Sequence, residues 1–384
     1  MELKGFPSEI SLWLKSIFSK DQVNTGRQLE VDIARGLAVF FMILVHVSGE
    51  FLEEGLSSTM FAKVIDFMGA VPAAPVFMFV MGIGFLYSKN QSPSGLFKRG
   101  LLIFVSGYIL NIARGFLPQL IGSGLGYYSM EADNLPWNYY LIEVDILHFA
   151  GLAMMFFAFL RLIKLKEIFY PVIAVVVGIV SPYLWGLSTG IDVIDVFLST
   201  VFGGKSYTFH PFFSWIVYPL MGAFFGWILK RVKDKKAFYL ISGNISSVVV
   251  IACIIYCFSS SKYDFGIVTG NIYNYFQHGI LSNITFIASI VFWLSFLFSI
   301  SSIIPALIKS RLLFWSKAVT IIYFVHWILI GWGEFIVFDT FSLEGTIFAM
   351  IIMTIISDRL ADLYIKIRER FKERTDAELN LHLN

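Results

Sequence analysis

Residues 33–51 read IARGLAVFFMILVHVSGEF, an apolar run that nonetheless keeps Arg35, His46 and Glu50, with Asp32 just ahead of it. On an α-helix the eleven residues from Arg35 to His46 make close to three turns, so the two side chains share a face about 16 Å apart along the axis. Asp32 lies one turn before Arg35, and Glu50 one turn after His46, on nearly the same face. Ionisable groups are costly at bilayer depth, so a stripe of them points to a cavity or to partners on other helices. A neutral imidazole beside a carboxylate can take a proton from a hydroxyl or an amine, which is general-base chemistry. A histidine merely hydrogen-bonded across helices would be the inert alternative. Glu50 either orients His46 or reaches the headgroup region as a solvated acid.

Three further residues are candidates for lining the same cavity. Asp145 and His148 lie three apart in VDILHFAGL, and His326 is central in IIYFVHWIL. His210 and His278 stand at the starts of apolar runs and are expected in the interface. No HExxH, paired CxxC or carboxylate cluster with metal spacing occurs, so no metal is expected. GxSxG and Walker-type signatures are absent too, which argues against a serine hydrolase or a P-loop motor. Cys253 and Cys257, the only cysteines, share a helix face and read as core fillers.

The chain that must position these residues has 384 residues, 57% hydrophobic and 15% charged, with 40 phenylalanines and a mean hydropathy of +0.74. A soluble domain would carry nearer a quarter charged residues. The composition is that of an all-α polytopic membrane protein. About ten segments are long and apolar enough to span, near 31–53, 66–88, 97–117, 139–160, 168–188, 211–229, 237–258, 279–303, 318–337 and 345–364. Alternate loops are basic: Lys89, Lys98 and Arg99; Arg161, Lys164 and Lys166; Lys230, Arg231, Lys233, Lys235 and Lys236; Lys309, Arg311 and Lys317. The opposite loops hold mainly acids, including Glu53, Glu54, Glu131, Asp133, Asp192, Asp195, Asp264 and Asp339. The positive-inside rule therefore places both termini in the cytoplasm. The net charge of +2 is spread over small groups and gives no reason to invoke nucleic acid.

Residues 1–30 never offer a continuous apolar run, so no cleavable signal peptide is expected. Within them Ile10, Trp13, Leu14, Ile17 and Phe18 recur at helical spacing, as in an amphipathic helix that lies on the membrane or packs against the bundle. The domain reading is a cytoplasmic amphipathic segment at 1–30, a transmembrane domain at 31–364 and a cytoplasmic basic tail at 365–384 facing anionic headgroups. The outer loops at 118–138 and 189–210 are long and hold Gly, Ser, Pro and aromatics, which suits a cap over a site.

The string from Arg27 to His46, RxLExDIARGLAVFFMILVH, resembles the opening signature of membrane acyltransferases. Its arginine and histidine separated by ten residues resemble the acyltransferase family 3 motif. APVFMFVMGIGFLYSK at 74–89, KRGLLIFVSGYILN at 98–111, DILHFAGLAMM at 145–155 and PFFSWIVYPLMGAFFGWILKR at 211–231 resemble, in order, the catalytic domain of heparan-alpha-glucosaminide N-acetyltransferase-like proteins. The resemblance implies transfer of an acyl group, usually acetyl from cytoplasmic acetyl-CoA, to a hydroxyl or amine of a sugar-containing or lipid-linked acceptor on the far side. It implies His46 as the catalytic histidine, Arg35 as its partner near the donor and Asp32 as the anchor of Arg35. The lysosomal animal enzymes carry an Asn at the position of His46 and their catalytic His in the following lumenal segment. Residues 47–71 here contain no His, so the chemistry would rest on His46, and an acetyl-histidine step does not follow.

CoA is a polyanion, so its nucleotide end would dock among Lys98, Arg99, Arg231 and Lys317, each of which equally serves positive-inside signalling. Trp137, Tyr139, Tyr140, Tyr183 and Trp185 would stack on sugar rings or form an aromatic belt. A bacterial plasma membrane and a possible homodimer complete the expectation. The alternative is a proton-coupled transporter or flippase for a sugar or anionic substrate, using the same His, Arg and acids as a relay.

Overall fold

In hydrocarbon every backbone N–H and C=O must be satisfied within the protein, so apolar runs of this length become helices. A computed structural model of the chain describes residues 8–89, 91–126, 139–260, 275–337 and 340–381. Trp137, Glu131, Asp133, Asp264 and Asp339 lie outside those residues, as does the 127–138 part of the loop expected at 118–138. The described helices are α1 (Ser8–Ile17), α2 (Leu29–Phe51), α3 (Met60–Gly69), α4 (Ala74–Tyr87), α5 (Pro93–Asn111), α6 (Leu117–Gly124), α7 (Tyr139–Ile142), α8 (Ile146–Leu162), α9 (Tyr170–Leu184), α10 (Asp192–Phe202), α11 (Phe212–Trp215), α12 (Val217–Leu229), α13 (Lys235–Ser260), α14 (Ile280–Ile300), α15 (Ala306–Val337) and α16 (Leu343–Leu381). Among the described residues there is no strand, only three isolated bridges. The fold is an all-α polytopic membrane bundle.

Eight stretches of the described residues are long and apolar enough to cross a membrane, fewer than the ten expected. The fourth expected span is broken: Asp145 caps α8 by accepting from the Ile146 N–H, so α7 and the 17-residue α8 replace one continuous helix. The tenth lies in α16, where Glu344, Asp358, Arg359 and Asp362 dilute the apolar run. Cys253 and Cys257 are also not core residues. They are free and only half-buried, because α13 turns most of its surface outward.

α2 is the shared wall of two apolar cores. Ile33, Ala34 and Ala38 pack with Val76, Phe79, Ile83, Tyr218 and Leu294 in one. Val39, Ile43, Val47 and Phe51 pack with Ala318, Ile322 and Ile330 in the other. At the basic end, α1 is tied down through its last residue. Ile17 is buried, Lys233 N–H donates to its carbonyl at 2.7 Å, and Phe18 sets its edge on Phe238. Leu12 and Trp13 remain outward and exposed.

Helix axes approach closely where neither side carries a side chain. A Cβ on Gly222 would lie 1.9 Å from the Phe79 carbonyl oxygen, and one on Gly82 would lie 2.1 Å from that of Pro219, so α4 and α12 touch backbone to backbone. Backbone cannot yield as a side-chain tip can. Gly222→Val is therefore expected to force α4 and α12 apart at a cost of about 1–3 kcal/mol or more. Thermal unfolding of the detergent-solubilised variant measures this; a midpoint equal to that of the parent would show that the bundle can relax around the added side chain.

Candidate active site

The basic end of α2 carries the first polar group. Arg35 Nη1 lies 3.4 Å from Asp32 Oδ1 and 3.3 Å from Ser316 Oγ, while Ser316 donates to the same Asp32 oxygen at 3.1 Å. Arg27 Nε closes on the other Asp32 oxygen at 2.5 Å. The i,i+3 spacing thus forms the expected pair, and α15 supplies a third member through Ser316. This is possible because Gly36 lets the two helices touch: a Cβ there would stand 2.2 Å from the Leu312 carbonyl oxygen. Arg35 keeps 24% of its side-chain surface exposed, so its guanidinium is held but not sealed. Glu30, by contrast, is buried and fully engaged, accepting from Lys235 Nζ at 2.7 Å and Tyr239 OH at 2.8 Å. Lys98, Arg99 and Lys317 are exposed, and Arg231 lies over the Trp227 ring at 4.4 Å. None of these four is ion-paired or hydrogen-bonded to the Asp32–Arg35 group among the described residues.

Three turns along α2, His46 meets α15. Its Nδ1 is 2.9 Å from Nε2 of His326, and its ring centre is 4.3 Å from that of Trp327. His326 is wholly buried, with Nδ1 2.9 Å from the Ile322 carbonyl oxygen one turn back on its own helix. His46 itself is only partly buried.

The same Trp327 ring carries Arg114 at 4.1 Å on its face, bringing a second cation into the neighbourhood of His46. Arg114 sits in a π-helical turn, Ile112–Phe116, between α5 and α6. Such turns are frequent at functional sites, and this one is closely packed. A Cβ on Gly331 of α15 would fall 1.8 Å from the Arg114 carbonyl oxygen, and the Trp332 indole donates to Ala113 O at 3.1 Å. Arg114 is 5% exposed and pairs through Nη2 with Glu143 and, at 3.2 Å, with Asp145 Oδ2. Both acids stand where α7 and α8 part. Tyr323 donates to Asp145 Oδ2, and His210 Nδ1 lies 3.4 Å from Oδ1, so with Arg114 three separate pieces of chain converge on one carboxylate.

Of the residues singled out by sequence, the structure joins Asp32 to Arg35 and His46 to His326, and it places Asp145 at the centre of the ion network. Arg114 and His46 both lie against the Trp327 ring, at 4.1 Å and 4.3 Å from it. His148 has a local task. Its Nδ1 accepts from the Asp145 N–H at 3.2 Å to complete a capping box, and its ring lies flat on Gly107. Glu50 lies where its charge reaches Arg114 and Glu334. His210 and His278 are 9% and 1% exposed and both pack on Trp215, the chain at 207–210 tucking in beside Val144. Arg114, Glu143 and Tyr323 were missed. Arg114 and Glu143 are ionisable residues inside apolar runs, IARGF and YYLIEV, and that signal was available. Among the described residues no three His, Cys, Asp or Glu side chains are grouped to hold a metal.

The family model for heparan-alpha-glucosaminide N-acetyltransferase, catalytic, matches residues 27–255, more than half of the chain. The chain belongs to this family. No curated protein matches it. Membership makes it a multi-pass membrane transferase. The acetyltransferase-family span holds Asp32, Arg35, His46, Arg114, Glu143, Asp145 and His210, whereas Ser316, Tyr323, His326 and Trp327 lie beyond it on α15.

Removing Arg114 alone would leave two buried acids facing each other. Arg114→Met is expected to cost about 3–5 kcal/mol, and adding Glu143→Gln and Asp145→Asn to it should recover part of that loss. Unfolding midpoints of the two variants in one detergent test this; a single variant as stable as the parent would mean the ion network does not hold the bundle.

Proposed function

We propose that the protein moves an acyl group, acetyl in the first instance, from cytoplasmic acyl-CoA to a hydroxyl or amine of a sugar-containing acceptor presented from the other side of a bacterial plasma membrane, with His46 as general base. The observation that carries this reading is a partly exposed imidazole on the same helix face as a partly exposed arginine, in a chain of an acetyltransferase family. The two lie about 16 Å apart along the helix, so a donor held at one end can deliver its thioester to the other along a flexible arm.

The steps follow from the residues. Arg35, pinned by Asp32 and Ser316, offers a fixed cation to the anionic donor, with Lys98, Arg99, Arg231 and Lys317 adding to the field at the basic end. The acceptor comes from the opposite end. There Tyr139 and Tyr140 stand edge to face, Tyr183 is exposed and Trp185 lies over Gly203. His46 takes the proton of the acceptor O–H or N–H as that atom attacks the thioester carbonyl. The C–S bond then breaks, and the sulfur leaves with the proton from His46, so free thiol and acylated acceptor are the products. Arg114, anchored on Glu143 and Asp145, supplies a buried positive field near the carbonyl oxygen as it becomes negative. O- and N-acceptors satisfy this scheme equally.

Purified protein should consume acetyl-CoA in the presence of an acceptor, and His46→Ala should lower turnover by about 10²–10⁴-fold. Unchanged thioester turnover in the variant removes His46 from the role; no turnover with any acyl-CoA, together with proton-coupled uptake in vesicles, would favour a transporter. Arg35→Ala is expected to weaken CoA binding about tenfold or more, as for one charge-assisted hydrogen bond of about 1.5–3 kcal/mol. Calorimetry checks this, and an unaltered dissociation constant would detach Arg35 from the donor.

A further inference from the structure

The contacts between His46 and His326 admit one arrangement of hydrogens when both rings are neutral. Ile322 presents a carbonyl oxygen, which can only accept, so Nδ1 of His326 carries hydrogen and donates to it at 2.9 Å. Nε2 of His326 is then a bare lone pair. It faces Nδ1 of His46 at 2.9 Å, so Nδ1 of His46 must be the N–H. The rings make an angle of only 7°, with centres 5.2 Å apart. That separation is the N···N distance plus about 1.1–1.2 Å of ring radius at each end, so the two rings lie edge to edge in one plane and the bond runs along the line of centres, the favoured alignment. Nε2 of His46 remains unprotonated, on the far edge of its ring. Among the described residues no hydrogen bond falls on that nitrogen, and it is not among the sealed buried atoms.

We infer that His326 is a positioning residue that holds His46 in the Nδ1–H tautomer and so leaves Nε2 as the atom that takes the acceptor's proton. The inference rests on the reading of His46 as the base, and it adds a residue from α15, outside the stretch that matches the family. No acid occupies the orienting place. Asp145 makes no hydrogen bond to His46 among the described residues, its oxygens facing Arg114, Tyr323, His210 and the Ile146 N–H. The orienting group is instead a neutral ring, itself anchored by a backbone carbonyl and enclosed by Tyr323 and Trp327. During transfer the proton from the acceptor O–H or N–H is received at Nε2, and the Nδ1–H bond to His326 persists in the resulting imidazolium. On collapse of the tetrahedral intermediate that Nε2–H passes to the departing sulfur, returning His46 to its starting tautomer. The logic is that of a base kept in its working tautomer by a second group.

The test is ¹⁵N NMR of the full-length protein, labelled at histidine and held in lipid nanodiscs, with the His46 signals identified by their loss in His46→Gln. The expected parent spectrum has a protonated Nδ1 and a bare Nε2 on His46, opposite to the tautomer that free histidine side chains favour. His326→Ala should move His46 toward the Nε2–H form and lower kcat about 10²–10⁴-fold with KM little changed. In His326→Gln the side-chain Oε1 can still accept from Nδ1–H, so that variant should retain the parent tautomer and much of the turnover. An Nε2–H signal on His46 in the parent, or a His46 spectrum indifferent to His326→Ala, overturns the inference. The parent spectrum decides the matter even if the alanine variant does not fold. Were the tautomer as expected but no acyl-CoA consumed, the failure would lie with the reaction assigned and not with the role of His326.

Discussion

The constraint on which the site depends is the burial of Arg114. A guanidinium inside a membrane bundle must bring its counter-charge with it, and here two carboxylates do so together. Those carboxylates occupy the gap between α7 and α8, where the helix is interrupted and restarted by Asp145. The interruption and the cation therefore explain each other: without Arg114 the acids would have no reason to be there, and without the break they could not both turn to meet it. Tyr323 and His210 complete the shell, and through them α15 and the 207–210 segment are drawn to the same point. Trp327, next along α15, then lies between the guanidinium and the imidazole of His46.

A second principle governs how closely these parts approach. Gly36, Gly82, Gly222 and Gly331 each stand against a carbonyl of a neighbouring helix, at α2–α15, α4–α12 and α15 with the π-turn. Apolar packing alone would leave helices at the distance set by leucine side chains. Where backbone touches backbone, short side chains such as Ser316 reach across to a neighbour's carboxylate, and Trp332 reaches the Ala113 carbonyl opened by the π-turn. The tight crossings are thus what allow a polar site in an apolar bundle.

What the sequence made legible was everything carried by one helix. Asp32 and Arg35 at i,i+3, and the alignment of Arg35 with His46 over three turns, are consequences of 3.6 residues per turn and needed no partner to be seen. The order of the blocks from 74 to 231 marked the family. The partners from α15 were not legible, since nothing in IIYFVHWIL says that His326 lies against a residue 280 positions earlier, or that Tyr323 meets Asp145. Glu50 shares the face of His46, whereas the hydrogen bond on Nδ1 of His46 comes from His326 of another helix. Nor did the sequence show that His210 and His278 both pack on Trp215. Hydropathy likewise read one continuous segment where Asp145 separates α7 from α8, because it averages over a single aspartate.

The π-turn at Ile112–Phe116 has a consequence for how this chain can vary in length. A wider turn holds one residue more than the α-helical path around the same axis, and it sets the rotation between α5 and α6. Loss of one residue there would restore regular winding and turn the side chains within the stretch to new directions while the flanking helices keep their course. Arg114 would then leave the Trp327 face, and Tyr140 would no longer seat on Gly115. Length in this stretch is consequently as constrained as residue identity: substitutions on its outward face are free to drift, whereas an indel of one codon would uncouple the cation from the imidazole while changing hardly any of the composition.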